Sequence, residues 1–349
     1  MDRIGIVMVG LNFGGHITRE IASGDASQYL KLLGVCDLDQ EKARETAADL
    51  GVRHYTSLEE ILGDSSVEAI GLFTSPDGRA QLIRKVIRAG KHVLTTKPFE
   101  RSATEALDVL REAQRLGKVV ALNSPSLVPP PDLQQIQVWR EAFELGKPVA
   151  ARMDVWASYH ETADGRWYDD PERCPVAPIF RIGVYLINDA VRLFGEASEV
   201  RVISSRIRTQ RPTPDNAQIS ILFHGGGIVN IFASFCVDDG DAHRNAMTLN
   251  FERGTIYRNS GPLQEDGYPR GSEMTLVRRG EHGREIAERV LLPGFNPQHA
   301  YQWETFRRLV RGERGIQIVS PEITAAAIRI IEAMALAERQ GGSAQVQRG

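Results

Sequence analysis

A glycine-rich turn set directly behind a fully apolar run constrains this chain more than any other feature. Ile4–Val9 is continuously apolar, as a strand buried on both faces must be, and Gly10-Leu11-Asn12-Phe13-Gly14-Gly15 follows it without a gap. The spacing predicts a helix over 15–22, then a strand over 32–36 ending in Asp37. The alternation continues with a helix over 39–50 stopped by Gly51 and a capping box at Ser57 and Glu60. Strands over 69–73, 92–95 and 119–122 then alternate with helices over 80–89 and from Ser102 to Gly117. Alternating β and α elements with short links predict a doubly wound parallel sheet, the α/β Rossmann arrangement. In such a sheet ligands lie beyond the carboxyl ends of the strands. Gly10, Asp37, Ser75, Lys97 and Asn123 all fall at such ends.

The first turn departs from the dinucleotide pattern GxGxxG at one place. Gly10 and Gly15 hold its outer positions and Asn12 its middle one. Asparagine tolerates positive φ better than other side chains, so we expect the turn to form with the Asn12 side chain turned away or itself on phosphate. Helix N–H groups after Gly14 remain available to an anion. Asp37 stands where a carboxylate accepts hydrogen bonds from an adenosine ribose, and Asp39 is the better cap for the next helix. The expected cofactor is NAD. Its expected contacts are Gly10, Asn12, Phe13, Gly14, Gly15, Asp37, Ser75, Pro76, Lys97, Pro98 and Asn123.

Pro129-Pro130-Pro131 interrupts the alternation, and we place a domain boundary near residue 124: a nucleotide-binding domain over 1–124 and a substrate and oligomerisation domain over 125–349. The second half reads as α+β with a large, mostly antiparallel sheet. Strands are expected over 149–159 and 200–208, with hairpins over 219–232, 247–257 and 274–292, and helices over 132–145, 180–194, 299–311 and 321–339. With 349 residues, 42% of them hydrophobic, and a net charge of −3, the chain can fill two cores. That charge balance argues against nucleic-acid and membrane-surface partners. The longest apolar runs are short of the roughly 18 residues a membrane span needs. Cys36, Cys174 and Cys236 are too far apart in sequence for a zinc or disulfide framework, so a reduced cytoplasmic protein without metal is expected.

Several segments together resemble one family. Val35-Cys36-Asp37-Leu38-Asp39, Ala89-Gly90-Lys91-His92-Val93-Leu94-Thr95-Thr96-Lys97-Pro98, Arg181-Ile182-Gly183-Val184-Tyr185-Leu186-Ile187-Asn188 and Leu193-Phe194-Gly195-Glu196 are similar to the glucose–fructose oxidoreductase, inositol dehydrogenase and rhizopine-catabolism (Gfo/Idh/MocA) family. The resemblance implies that Lys97, in the place of the family's Glu-Lys-Pro lysine, reaches between nicotinamide and substrate. It also implies that Tyr185 stands for the family's histidine. Arg181 and Asn188 replace its two aspartates, and Arg79 replaces a histidine after the fourth strand.

The implied activity is hydride transfer between NAD and a hydroxyl or ketone of a sugar, cyclitol or sugar derivative, with Lys97 and Tyr185 catalytic and Asn188 on the substrate. Arg181 either holds an anionic group of the substrate or pairs with Asp169, Asp170 or Glu172. His160, His243 and His299 are weaker candidates for the missing histidine. Alternative readings are a glycoside-cleaving enzyme that retains NAD and a non-catalytic NAD- and sugar-binding regulator. A homodimer or homotetramer is expected through an apolar sheet face carrying Val155, Ile221 and Ile231.

Overall fold

A computed structural model describes residues 2–240, 243–260, 271–293 and 301–349. The chain forms two units, Met1–Val128 with Tyr301–Pro321, and Pro129–Ala300 with Glu322–Gly349.

The first unit is built on strands β1 (Ile4–Val9), β2 (Leu30–Cys36), β3 (Arg53–His54), β4 (Ala69–Leu72), β5 (His92–Thr95) and β6 (Val120–Ala121). Between them run helices α1 (Gly14–Ser23), α2 (Gln40–Leu50), α3 (Leu58–Gly63), α4 (Arg79–Arg88) and α5 (Ala103–Arg115). The strands lie in the order β3-β2-β1-β4-β5-β6 and pair in parallel, as the alternation predicts. The order reverses between β1 and β4, so the crevice for a ligand opens at their carboxyl ends.

Local chemistry sets the helix ends. Asp39 caps α2 by accepting from Lys42 N at 3.1 Å, and Gly51 ends it at φ 63°. Ser57 and Ser102 accept from Glu60 N and Glu105 N. Glu60 closes its box one residue early, onto Thr56 N at 2.9 Å. Short strand β3 has too few residues to show a period, so sequence patterning does not reveal it.

In the second unit, α6 (Pro131–Ala142) leads into β7 (Pro148–Trp156), followed by a π turn over Ile179–Gly183 and α7 (Val184–Phe194). Then come β8 (Ala197–Ser205), β9 (Asn216–Phe223), β10 (Ile228–Ser234), β11 (Arg244–Phe251), β12 (Gly254–Arg258), β13 (Gly271–Gly280) and β14 (Gly283–Pro293). Helix α8 (Trp303–Val310) belongs to the first unit, and α9 (Pro321–Gln340) and β15 (Ser343–Gln345) complete the second. The nine-stranded sheet has the order β14-β13-β12-β11-β7-β10-β9-β8-β15. Only β7 and β10 pair in parallel; the other seven pairs are antiparallel.

One expectation reverses. Val155, Ile221 and Ile231 are fully buried and belong to the core that α6, α7 and α9 share with the sheet. Burial of such a side chain contributes about 1.5–3 kcal/mol, so helices cover the face the strands make most apolar. Because strand side chains alternate, the opposite face carries their neighbours instead, among them Arg152, Leu222 and Ile228.

Candidate functional site

Gly10 leaves β1 at φ 91°, a conformation that favours glycine. A Cβ there would stand 2.7 Å from the Phe73 carbonyl oxygen, so the turn lies against the exit of β4. Gly14 performs the close helix-to-strand packing, since its Cβ would meet Phe73 Cβ at 2.8 Å. Gly15 is different: a Cβ built on it meets nothing within 4 Å. It therefore leaves open space at the start of α1. That helix begins without a side-chain cap and without an acid in its first turn. An uncapped, acid-free helix start beside open space fits a dinucleotide's pyrophosphate.

Asn12 does not take up the left-handed conformation. Among the described non-glycine residues, positive φ occurs at Glu144, Val176 and Asn259. Its side chain points away from the turn to Lys42, whose Nζ donates to Asn12 Oδ1 at 2.6 Å. Phe13 sits at the turn's rim, 38% exposed, its ring 6.2 Å from that of Phe73. Asp37 accepts from Leu11 N at 2.6 Å and from Asp39 N at 2.9 Å, which ties the carboxylate to the glycine turn while it stays half-buried.

Beyond β4, Ser75 Oγ donates to Asp77 Oδ2 at 2.9 Å, and Pro76 is buried in the same turn. After β5, Val93 to Glu100 are buried with the single exception of Lys97. Pro98, joined to Lys97 by a cis peptide bond, is among the buried residues. Asn123 Oδ1 accepts from Lys97 N at 3.3 Å and from Thr96 Oγ1 at 3.3 Å. The asparagine at the end of β6 thus braces the lysine's backbone. Arg79, fully buried, donates to the carbonyls of Thr74, Thr96, Pro98 and Phe99.

In the second unit, Arg181 lies in the π turn and Tyr185 and Asn188 on α7, three residues apart and hence on one helix face. Both are buried, at 4% and 3% exposure. Arg181 grips Glu161 with both arms of its guanidinium, at 2.6 and 2.7 Å. Its guanidinium carbon lies 4.2 Å from the Tyr168 ring centre, 4.7 Å from Phe235 and 5.2 Å from Tyr159. Glu161 also accepts from Arg211, which pairs with Asp164 and Asp169. Burial pushes the Glu161 carboxyl up, and the hydrogen bonds and charges of Arg181 and Arg211 outweigh it, holding it below the ordinary range.

Arg181 therefore has an internal partner, as one reading of the sequence allows, and the acid it grips with both arms is Glu161. Asp169 serves Arg211, and Glu172 faces Arg339 at 3.7 Å. Glu161 left no signal of its own in the sequence. His160 is exposed beside Ser158, and His243 meets the Tyr159 hydroxyl at 2.9 Å. His299 lies outside the described residues. Among the described residues no cluster suited to a metal is found, none of the three cysteines is in a disulfide, and no helix is long and apolar enough to cross a membrane.

Both halves of the chain are similar to known proteins. Residues 4–124 match the model of an oxidoreductase family with an NAD-binding Rossmann fold, and residues 133–257 match the GFO/IDH/MocA C-terminal domain. UDP-N-acetylglucosamine 3-dehydrogenase of Acidithiobacillus ferrooxidans is 31% identical over 82% of this chain and 87% of that protein. An uncharacterized oxidoreductase of Schizosaccharomyces pombe is 27% identical over 50% of this chain and 46% of its own length. Against that relative and a second one from the same yeast, the chain spans about half the length of the curated proteins it matches. A putative NADPH-dependent oxidoreductase of Desulfitobacterium hafniense shares the fold, with a TM-score of 0.79 at 14% identity over 99% of this chain and 98% of that one. The chain belongs to the Gfo/Idh/MocA family of oxidoreductases, with an NAD-binding Rossmann domain and the family's C-terminal domain.

Proposed function

We propose that this protein is an NAD-dependent dehydrogenase or reductase acting on a CH–OH group of a sugar, cyclitol or sugar derivative. The observation that carries the reading is Lys97: a lone accessible lysine in an otherwise buried segment, at the carboxyl end of a central strand, its backbone held by Asn123. When bound, the nicotinamide supplies hydride acceptance or donation. The chain's own residues do the rest. Lys97 holds the substrate oxygen, and Tyr185 takes its proton as the carbinol carbon loses hydride, or returns it in the reverse direction. Asn188, on the same helix face as Tyr185, hydrogen-bonds the substrate. The name of the Acidithiobacillus relative supports the sugar class. Arg181, occupied by Glu161, is assigned to fixing the π turn ahead of Tyr185, and we place no anionic substrate group on it.

The test follows absorbance at the NADH band against sugars, inositols and sugar acids, with NAD and NADP supplied separately. At least one member of the panel is expected to reduce NAD. Tyr185→Phe should then lower kcat about a hundredfold and leave NAD affinity within about twofold, the pattern of a group used in the reaction and not in cofactor binding. NADH binding without turnover on any member would favour a regulator. Glycoside cleavage with NAD retained through gel filtration would favour the hydrolytic reading.

A further inference from the structure

Arg79 is the largest charged side chain that this fold buries beside the proposed reaction centre, at 1% exposure. It opens α4, directly after Gly78 in the left-handed conformation, and its side chain runs under the sheet's carboxyl edge. One arm, Nη2, donates to the Thr74 carbonyl in the turn after β4. The other, Nη1, reaches the turn after β5, donating to Thr96 O at 2.6 Å, to Pro98 O and to Phe99 O at 3.2 Å. Thr96 and Pro98 are the residues on either side of Lys97. The planar fork therefore ties two separate strand-end turns together and holds the peptide carbonyls that flank the lysine. Asn123 holds the lysine's N–H from the side of β6.

A point-like ammonium could not make the same arrangement. Lysine has one nitrogen, whereas the two Nη atoms of arginine sit at a fixed spacing that spans the two turns. Burying a cation costs free energy unless its hydrogen bonds are made, so the carbonyls must stay where Arg79 needs them. The lysine backbone inherits that rigidity, and the Lys97 side chain leaves from a fixed root.

We propose that Arg79 is a positioning residue for the reaction, setting the reach of Lys97 by clamping the carbonyls on both sides of it to the turn after β4. This rests on the reading of Lys97 as the lysine that meets substrate.

The experiment compares Arg79→Lys, Arg79→Ala and Lys97→Met with the full-length wild type. It uses whichever sugar or cyclitol the wild type oxidises. A second readout needs no substrate: acetylation of Lys97 by acetic anhydride, followed by mass spectrometry, with and without NADH. Arg79→Lys is expected to keep NADH affinity within about threefold and to lose at least about tenfold in kcat, with KM little changed. NADH should shield Lys97 in the wild type and fail to shield it in Arg79→Lys. Added guanidinium should restore part of the kcat of Arg79→Ala and leave Lys97→Met unaffected.

Wild-type kcat and shielding in Arg79→Lys would overturn the proposal. So would loss of NADH affinity in step with kcat, or unfolding of both Arg79 variants, since each marks a plainly structural role. Lys97→Met at full activity would sink the underlying reading of Lys97 as well. An inactive Lys97→Met beside a normal Arg79→Lys removes the Arg79 inference alone.

Discussion

Asp37 has an oxygen on each of two backbone amides, which stops the carboxylate from swinging away from an incoming cofactor. A 2′-phosphate arriving there meets a fixed negative charge. At about 4 Å and an effective dielectric of 20, one such pair is worth up to roughly 4 kcal/mol. Lys42, whose ammonium donates to Asn12 in the glycine turn, is already engaged there. We therefore expect NAD to bind at least about tenfold more tightly than NADP, and Asp37→Ser to narrow that ratio. Fluorescence titrations giving equal affinities for the two cofactors in the wild type would reverse the assignment. Glu161 makes a second prediction. Its carboxyl is held below the ordinary range in the fold, so its contribution to stability is present above the unfolded-state pKa, near 4.3, and is lost as pH falls through the lower folded value. Glu161→Gln should cost roughly 2–4 kcal/mol at neutral pH, somewhat less than breaking a fully buried pair costs because the side chain keeps 26% exposure. Thermal melts should show the gap to wild type closing as pH drops below about 4; a gap independent of pH would contradict the role given to the ion pair. At this scale the sequence is readable where the chemistry is local. Asp39 caps α2 because its partner is three residues away. The partner of Arg181 is not readable, because Glu161 lies 20 residues back and only folding brings it close.

Helix α1 shows how an element can have two glycines with opposite duties. Gly14 is required by packing against Phe73, whereas Gly15 has room for a methyl group in every respect that concerns the fold. Gly15→Ala should therefore leave stability unchanged or raise it by up to about 1 kcal/mol, as expected for replacing glycine within a helix. The same methyl fills the space before the helix start, so NAD affinity should fall at least about tenfold. Gly10→Ala should fail differently, losing more than about 1 kcal/mol of stability through its positive φ and the clash with the Phe73 carbonyl. Melting curves read beside NAD titrations separate the two cases, and unchanged NAD binding in Gly15→Ala would refute the placement of the anion there. Most elements are legible beforehand because long periodic runs with caps identify themselves: β1, α2 and α5 fall within a residue or two of expectation. The π turn ahead of α7 and strands β3 and β15 are not legible. Two or three residues carry no period, and an i to i+5 turn shares its composition with an ordinary helix.

On the scale of the whole molecule, the nine-stranded sheet presents a second face whose apolar members are interleaved with polar ones. Leu222 and Ile228 stand opposite each other across the β9–β10 ladder, 40% and 47% exposed, and Phe232 continues the row on β10. We expect a homodimer or homotetramer to use this face. Leu222→Arg with Ile228→Arg should convert the assembly to a monomer by light scattering at micromolar concentration; a monomeric wild type would end the idea. Val155, Ile221 and Ile231 lie on the helix-covered face, and alternation alone gives two faces without saying which one the helices take. Alternation is equally silent about the return of Tyr301–Pro321 to the first unit. There Phe306 and Tyr301 enter the core formed by Ile4, Met8, Ala69 and Leu94, and Arg311 pairs with Asp2 and Glu68. During synthesis this has a consequence of timing. When the ribosome has completed β6, every strand of the nucleotide-binding sheet exists, yet one wall of its core is still some 180 codons away. The core of the nucleotide-binding unit therefore closes only after Tyr301 and Phe306 have been added to the nascent chain.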